Sequence, residues 1–252
     1  MTPDELRALA EAGRTFTDLE FLPEISLDDL DLAEGRFERC RFALPIVRGT
    51  NFSESTFEDC RFEPTRFANC SFAKATLGGC TLFDVDKKTG SVFAFCDMHA
   101  LVVEKCNLAT CSFGRCDLHD LGAVDSSFRG ARFVRTSFTK ALSRRSSLSK
   151  ASFERCNLAF ADLSGLHLQN ATFRSCRLSE ASFIDTDLSD AKLLECALDR
   201  IEWDKAELAN ADLSGSQLSG LNLAVLADYA GLAISESEQT ALLEQLGIRV
   251  VS

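Results

Sequence analysis

The sequence is short of several things that most chains of its length use. It has one tyrosine, one tryptophan, four prolines and two methionines in 252 residues. No stretch approaches the run of about 18 apolar residues that a membrane-spanning helix needs. The first twenty residues carry Asp4, Glu5, Arg7, Glu11 and Arg14 where a secretory signal would be apolar. The 11 cysteines, an odd number, are therefore not expected to form an extracellular disulfide framework, and the cytoplasm is the default compartment. Their spacings of five or ten, as in Cys106, Cys111 and Cys116, match no zinc module. There is no glycine-rich phosphate loop, and His99, His119 and His167 assemble into no nucleophilic triad. These absences leave no expectation of a catalytic residue, a metal or a cofactor.

What is abundant is phenylalanine, with 20 copies. One structural slot sampled many times would draw the same residue, so a repeat is the first thing to seek. A large apolar residue recurs every five positions from Met98 through Val103, Leu108 and Phe113 to Leu223, with Ala123 and Ser143 as the misfits. An earlier run with the same period goes from Leu27 through Phe37, Phe42 and Phe52 to Leu82. The runs are out of phase by one residue. Two positions before each centre sits a small residue, and every cysteine falls in this slot. A period of five fits neither helix nor plain strand. Two inward positions per unit at spacing two require a turn in every unit, so the prediction is an all-β solenoid whose coils pair with those above and below. The slot then selects small hydrophobes. The histidines, one residue from a centre, are expected to point outward.

The units predict five segments: an N-terminal cap over 1–24, a first repeat run over 25–82, an interruption over 83–97, a second run over 98–225 and a C-terminal cap over 226–252. In the first segment Thr2 and Glu5 have capping-box spacing, Leu6, Leu9 and Ala10 share a helical face, and Gly13 follows. In the last, Ser235 and Glu238 repeat the capping pattern, and Leu242, Leu243 and Leu246 form an apolar helical face before Gly247. Ile248, Val250 and Val251 read as a short strand. Such ends cover an open coil. The interruption, with Asp84, Asp86, Lys87, Lys88, Thr89 and Gly90, reads either as a bulge or degenerate coil, or as an exposed contact loop.

Charge is uneven. The chain totals −11, with −7 in residues 1–40, −1 in 41–130, +6 in 131–160 and −9 in 161–252. With four units per coil, residues 20 apart stack at about 4.8 Å. Asp187 then lies on Glu207, amid Asp185, Asp190, Glu195, Asp199, Glu202 and Asp204. This surface reads as a solvated acidic face or as one that meets a basic, DNA-handling protein. Arg115, Arg135 and Arg155 are expected to form an opposite ladder, and with Arg132, Lys140, Arg144, Arg145 and Lys150 a basic belt. The overall charge argues against direct nucleic-acid binding.

The units ADLSG, ASFER, CNLAF, ATFRS and ANADLSGSQLSG resemble the pentapeptide-repeat family, over roughly Ile25 to Val225. The resemblance implies a right-handed quadrilateral β-helix with four pentapeptides per coil, here with short capping helices at both ends. The tail SEQTALLEQLGIRVV resembles the Qnr-type quinolone-resistance and antibiotic self-resistance branch. That likeness implies a homodimer joined through Leu242, Leu243, Leu246, Ile248 and Val250. It also implies a protein that binds DNA gyrase, and topoisomerase IV as a further target, and protects it from a quinolone or natural poison. The alternative is a generic repeat scaffold or interaction module with no topoisomerase target.

Overall fold

Most five-residue units fold the same way. The centre points inward between two outward neighbours, as in Arg36–Phe37–Glu38, where the ring is buried and the flanks are not. Two residues after the centre the backbone enters the left-handed region, at φ values such as 55° for Asp18, 51° for Arg39 and 52° for Asp59. That conformation costs most side chains free energy. Here it is the corner that turns the chain through each face. The slot residue that follows points inward again, so four units close a square coil.

The computed structural model describes residues 15–143, 146–245 and 247–249. The coils stack in parallel. One face is a nine-stranded sheet running in register from Thr15–Thr17 through Arg36–Glu38, Thr56–Glu58 and Thr76–Gly78 to Lys192–Leu194. We call it the first face. The second carries Phe21, Phe42 and Phe62, the third Val47, Phe67, Phe93, Phe113 and Phe133, and the fourth Phe52, Phe72, Met98 and Leu118.

The centres form columns down the axis. Phe16, Phe37 and Phe57 stack with ring centroids 4.6 and 4.7 Å apart. Phe67, Phe93, Phe113 and Phe133 follow suit at 5.0, 5.2 and 5.0 Å. Each ring contributes about 1.5–3 kcal/mol by leaving water, and stacking adds to it. The small slot is polar as well as small. Its thiols and hydroxyls donate to the carbonyl of a centre one coil below: Cys40 Sγ to Phe16 at 3.3 Å, Thr50 Oγ1 to Leu27 at 2.7 Å, Thr186 Oγ1 to Leu163 at 2.8 Å. Composition alone suggested only small hydrophobes there.

Several expectations need correction. The ladder begins at Thr15, not at Ile25. One extra residue between Phe21 and Leu27 makes the first offset 21, from Phe16 to Phe37, and so breaks the period of five. The expected N-terminal helix over Thr2 to Gly13 lies outside the described residues.

The interruption is shorter than 83–97. Phe83–Asp84 pairs antiparallel with Thr89–Gly90 in a small hairpin, and Val92–Ala94 is already back in the ladder against Arg66–Ala68. Asp84 holds the turn by accepting from the N–H groups of Asp86 and Lys87, each at 3.0 Å. Gly90 is obligatory because a Cβ there would meet the Ala109 carbonyl oxygen at 2.5 Å.

A second hairpin went unread. Thr139–Ser143 pairs antiparallel with Ser146–Ser149, and the ladder offset becomes 30, from Ala123 to Phe153. Ser143 is therefore no misfit centre. His119 is buried, with its Nδ1 3.3 Å from the Phe138 carbonyl oxygen, so that residue does not point to solvent.

At the other end the parallel bridges continue past Val225 to Asp228 and Ala233. A 3-10 turn, Glu236–Glu238, leads into the helix Gln239–Gln245. The helix stops in a Schellman arrangement: Ile248 N–H reaches the Leu243 carbonyl at 3.0 Å, Gly247 N–H reaches Glu244 at 2.9 Å, and Gly247 has φ 76°. Ser235 and Glu238 form no reciprocal capping box. Ser235 Oγ accepts from Gly215 N–H at 2.7 Å and Glu238 Oε2 from Leu218 N–H at 3.2 Å. Both side chains thus satisfy the open edge of the last coil. Ile248 is in no strand, and Leu246, Val250 and Val251 lie outside the described residues.

Candidate functional site

The solenoid sorts the acidic residues by face. On the fourth face a column runs from His167 through Asp187 and Glu207 to Asp228. On the adjoining third face another runs from Asp162 through Ser182 to Glu202, with Asp204 on the same rung and Asp185 at the corner between the two faces. Five of the expected residues, Asp185, Asp187, Glu202, Asp204 and Glu207, therefore share two adjoining faces. Asp190 sits at the next corner. Glu195 and Asp199 lie across the rod, where Glu195 accepts from Ser175 at 2.9 Å and Asp199 from Ser179 at 2.6 Å. The Ser179 hydroxyl holds the Asp199 carboxyl below its ordinary range. On the paired faces neutralisation is thin. Lys205 reaches Asp185 only at 3.9 Å, and the Gln169 amide donates to Asp187.

The basic belt divides as well. Arg115 and Arg135 stack at one corner, through the Arg115 N–H to Val134 carbonyl bond of 2.9 Å. Arg155 is elsewhere. The second hairpin sets its partner 30 residues back, so it lies on Asp125 and grips both carboxylate oxygens at 2.7 and 3.1 Å. This guanidinium holds the Asp125 carboxyl below its ordinary range. Lys150 pairs with Asp120 at 2.6 Å, while Arg144 and Arg145 lie outside the described residues. The third face is basic and apolar between Arg66 and Arg135. It presents Arg66, Arg115, Arg132 and Arg135, with Phe95 beneath Arg115 at 5.3 Å and Val134 exposed. It turns acidic from Asp162 onward.

The C-terminal end is apolar. A groove of about 370 Å³ lies among Leu223, Tyr229, Leu232, Ile234, Leu242 and Leu243. Leu242 is buried against the core, whereas Leu243, Tyr229 and Ile248 are 36%, 46% and 50% exposed. The first hairpin projects Val85, which is 71% exposed, with Lys87 and Lys88 beside it. Among the described residues the 11 thiols are free and buried, and no group of three or more His, Cys, Asp or Glu is placed to hold a metal ion. No helix is long and apolar enough to cross a membrane. Sequence reasoning missed the second hairpin and the break it makes in the fourth face; the serine-rich run from Ser143 to Ser149 was the available signal.

Among curated proteins none matches the sequence significantly. Solved structures do match in fold. A trypsin-treated variant of QnrB1, described as a plasmid-mediated fluoroquinolone resistance protein, is 18% identical with a TM-score of 0.66, over 94% of this chain and 99% of that one. Full-length QnrB1 is 20% identical with a TM-score of 0.55, over 93% and 100%. HetL, a pentapeptide repeat protein from the cyanobacterium Nostoc sp. strain PCC 7120, is 18% identical with a TM-score of 0.46, over 92% and 94%. Two family profiles match the sequence itself. One, a pentapeptide repeat region, covers residues 146–223, and the other, pentapeptide repeats in eight copies, covers 48–86 and 125–165. With the repeat visible in both sequence and coils, the chain belongs to the pentapeptide-repeat family.

Proposed function

We propose that this protein binds DNA gyrase, with topoisomerase IV as a second target, and protects it from a quinolone or a natural-product poison. The observation that carries the reading is the pair of acidic columns on the third and fourth faces, ending beside an apolar tip. Eleven rungs on the first face, the nine strands and the bridges at Asp212 and Ala233, spaced at about 4.8 Å, make a rod of about 48 Å. Two rods joined at their apolar C-terminal ends would span about 95 Å, the length of roughly 28 base pairs at about 3.4 Å each. Acidic columns flanking that join would offer a duplex-binding saddle the charge spacing of a DNA backbone. The full-length likeness to a fluoroquinolone resistance protein supports the same reading. The protein acts here by binding, in the cytoplasm, with no catalytic step and no cofactor. The short hairpin of Asp84, Asp86, Lys87, Lys88, Thr89 and Gly90 is a secondary contact.

A supercoiling and cleavage assay with gyrase, ciprofloxacin and the purified protein tests this. Protection at micromolar protein is expected. The combined changes Asp187→Lys, Glu202→Lys, Asp204→Lys and Glu207→Lys should remove it without lowering the melting temperature, and Glu195→Lys, across the rod, should leave it intact. Neither inhibition nor protection by the wild-type protein would leave a scaffold with another partner as the reading.

A further inference from the structure

The ladder is continuous on three faces at the second hairpin and broken on the fourth. Parallel bridges join Asp117 to Ser137 and His167 to Asp187, but none joins Ser137 to His167. The regular pattern supplies three backbone bonds at every such step. One coil lower they are Arg115 N–H to the Val134 carbonyl, Leu118 N–H to the Ser137 carbonyl and Ser137 N–H to the Cys116 carbonyl. At the break the N–H groups of Arg135, Phe138 and His167 have no partner among the described residues, and neither do the carbonyls of Ser164, Thr136 and His167 that would have received them. The hairpin is the cause. Its outgoing and returning arms both leave the rod at this corner, with Lys150 N–H bonded to the Phe138 carbonyl at 3.1 Å, and the next coil is held off. A cleft of about 520 Å³ results, walled by Ser137 and Phe138 on one side and by His167 and Gln169 on the other. Arg135 and Gly165 stand at its mouth.

We propose that this cleft receives an extended, acidic peptide segment of a partner protein, which adds its backbone to the open coil edges. Open edges of this kind are templates for strand addition. They present donors and acceptors together. An inorganic anion could satisfy the three N–H groups but lacks a matching set of donors for the three separated carbonyls, whereas a peptide backbone supplies both. The charge of the segment follows from the lining. Arg135 is exposed and has no acidic partner among the described residues, Arg115 and Arg132 lie next to it, and His167 is on the far wall. The carboxylates one coil away on this face are engaged: Asp187 by the Gln169 amide, which also accepts from Ser149 Oγ at 2.9 Å, and Asp117 by the His119 N–H at 2.9 Å. An acidic side chain entering the mouth therefore meets a free guanidinium. The proposal does not depend on the identity of the partner that the acidic columns meet.

Hydrogen exchange and fluorescence anisotropy on the full chain test it, with a fluorescein-labelled octapeptide of alternating Glu and Val as the probe. In the free protein the amides of Arg135, Phe138 and His167 should exchange fast while those of Leu118 and Leu168 are protected. Saturating peptide should slow those three. Arg135→Glu should weaken binding about tenfold or more, as loss of a charge-assisted contact implies. Gly165→Phe should block the mouth: Gly165 has φ 67° with nothing within 4 Å of a Cβ, and Phe95 and Phe160 occupy the same kind of corner at φ 55° and 62°. Removal of residues 140–149 should close the cleft altogether and serves if the phenylalanine variant fails to fold. Protection of the three amides in the free protein would overturn the proposal. So would equal binding of a Lys–Val peptide or of a backbone N-methylated Glu–Val peptide, no binding at millimolar peptide, or inorganic phosphate alone slowing the same amides and displacing the peptide.

Discussion

At the scale of single residues, the inward slot does two jobs that one residue list obscures. It must be small enough for the coil to close, and it often carries a donor for a buried carbonyl one coil away. Thr50 is fully buried, and its hydroxyl reaches the Leu27 oxygen at 2.7 Å. That oxygen keeps a second, longer bond of 3.3 Å from Leu30 N–H. Thr50→Val preserves shape and removes only the donor, so urea unfolding should show a loss of about 1 kcal/mol, at the low end for an unsatisfied buried acceptor. The cysteines are held the same way. Burial pushes the Cys111 thiol up to about 12, so in the native protein it should not react with a disulfide reagent until the chain unfolds. The surface carboxylates behave oppositely. Arg39 beside Asp18, Lys74 beside Glu54 and Arg155 beside Asp125 hold these three below the ordinary carboxylate range. A carboxyl whose folded value lies below its unfolded one gives stability that is present above the unfolded value and lost as pH falls through the folded one. The melting temperature should thus hold level from neutral pH down to about 5 and fall below about 4, and Asp18→Asn with Asp125→Asn should shrink that fall. All three pairs are exposed, so added salt should shrink it too.

At the scale of elements, the two hairpins differ in how far the sequence betrayed them, and the difference is arithmetic. The first lengthens the coil offset from 20 to 26 residues, Phe67 to Phe93, one unit plus one residue. It shifts the phase and is visible as a break. The second lengthens the offset to 30, Ala123 to Phe153, which is two whole units. The phase from Phe138 to Phe153 survives, so Leu148 passes for a centre. Periodicity detects only insertions that are not multiples of five. Everything stacked through that point was then assigned ten residues, half a coil, too near, which is why Arg155 was paired with Arg135 rather than with Asp125. Between the two hairpins, and again between Asp162 and Asp212, residues 20 apart do stack, and Asp187 lies on Glu207 as the period required. The same reasoning gives a prediction. Excising residues 140–149 joins Thr139 to Lys150 and returns the offset to 20. The shortened chain should fold, and its melting temperature should match or exceed that of the parent, because three missing inter-coil bonds can form. The amides of Arg135, Phe138 and His167 should then exchange as slowly as their neighbours on the fourth face. A shortened chain that unfolds, or that keeps these amides fast, would mean that the hairpin holds the coils together rather than apart.

At the scale of the molecule, the two ends of the rod set what it can join. A solenoid must cover its last coil or offer it to a partner. Here the cover is partial. Ser235 and Glu238 satisfy two edge donors and Leu242 seals the core, but Leu243, Tyr229 and Ile248 stay exposed around the groove. Apolar surface gathered at one tip is a place for association, and a second copy brings the same tip. Charge does not drive that geometry, so the apolar contact must carry it. The third face is acidic toward the C-terminus and basic in its middle, so joining C-terminal ends gathers the acidic coils around the dyad and keeps the arginines outside it. The wild-type protein should therefore sediment as a dimer at micromolar concentration. Leu243→Asp with Ile248→Asp should give a monomer whose melting, measured at a concentration where both are monomeric, is unchanged, since neither side chain is buried. Leu242→Asp should lower the melting temperature as well, because Leu242 packs on the core. A monomeric wild type at 100 µM or higher would sink the end-to-end rod, and gyrase protection by the Leu243→Asp and Ile248→Asp protein would show that one acidic arm is enough.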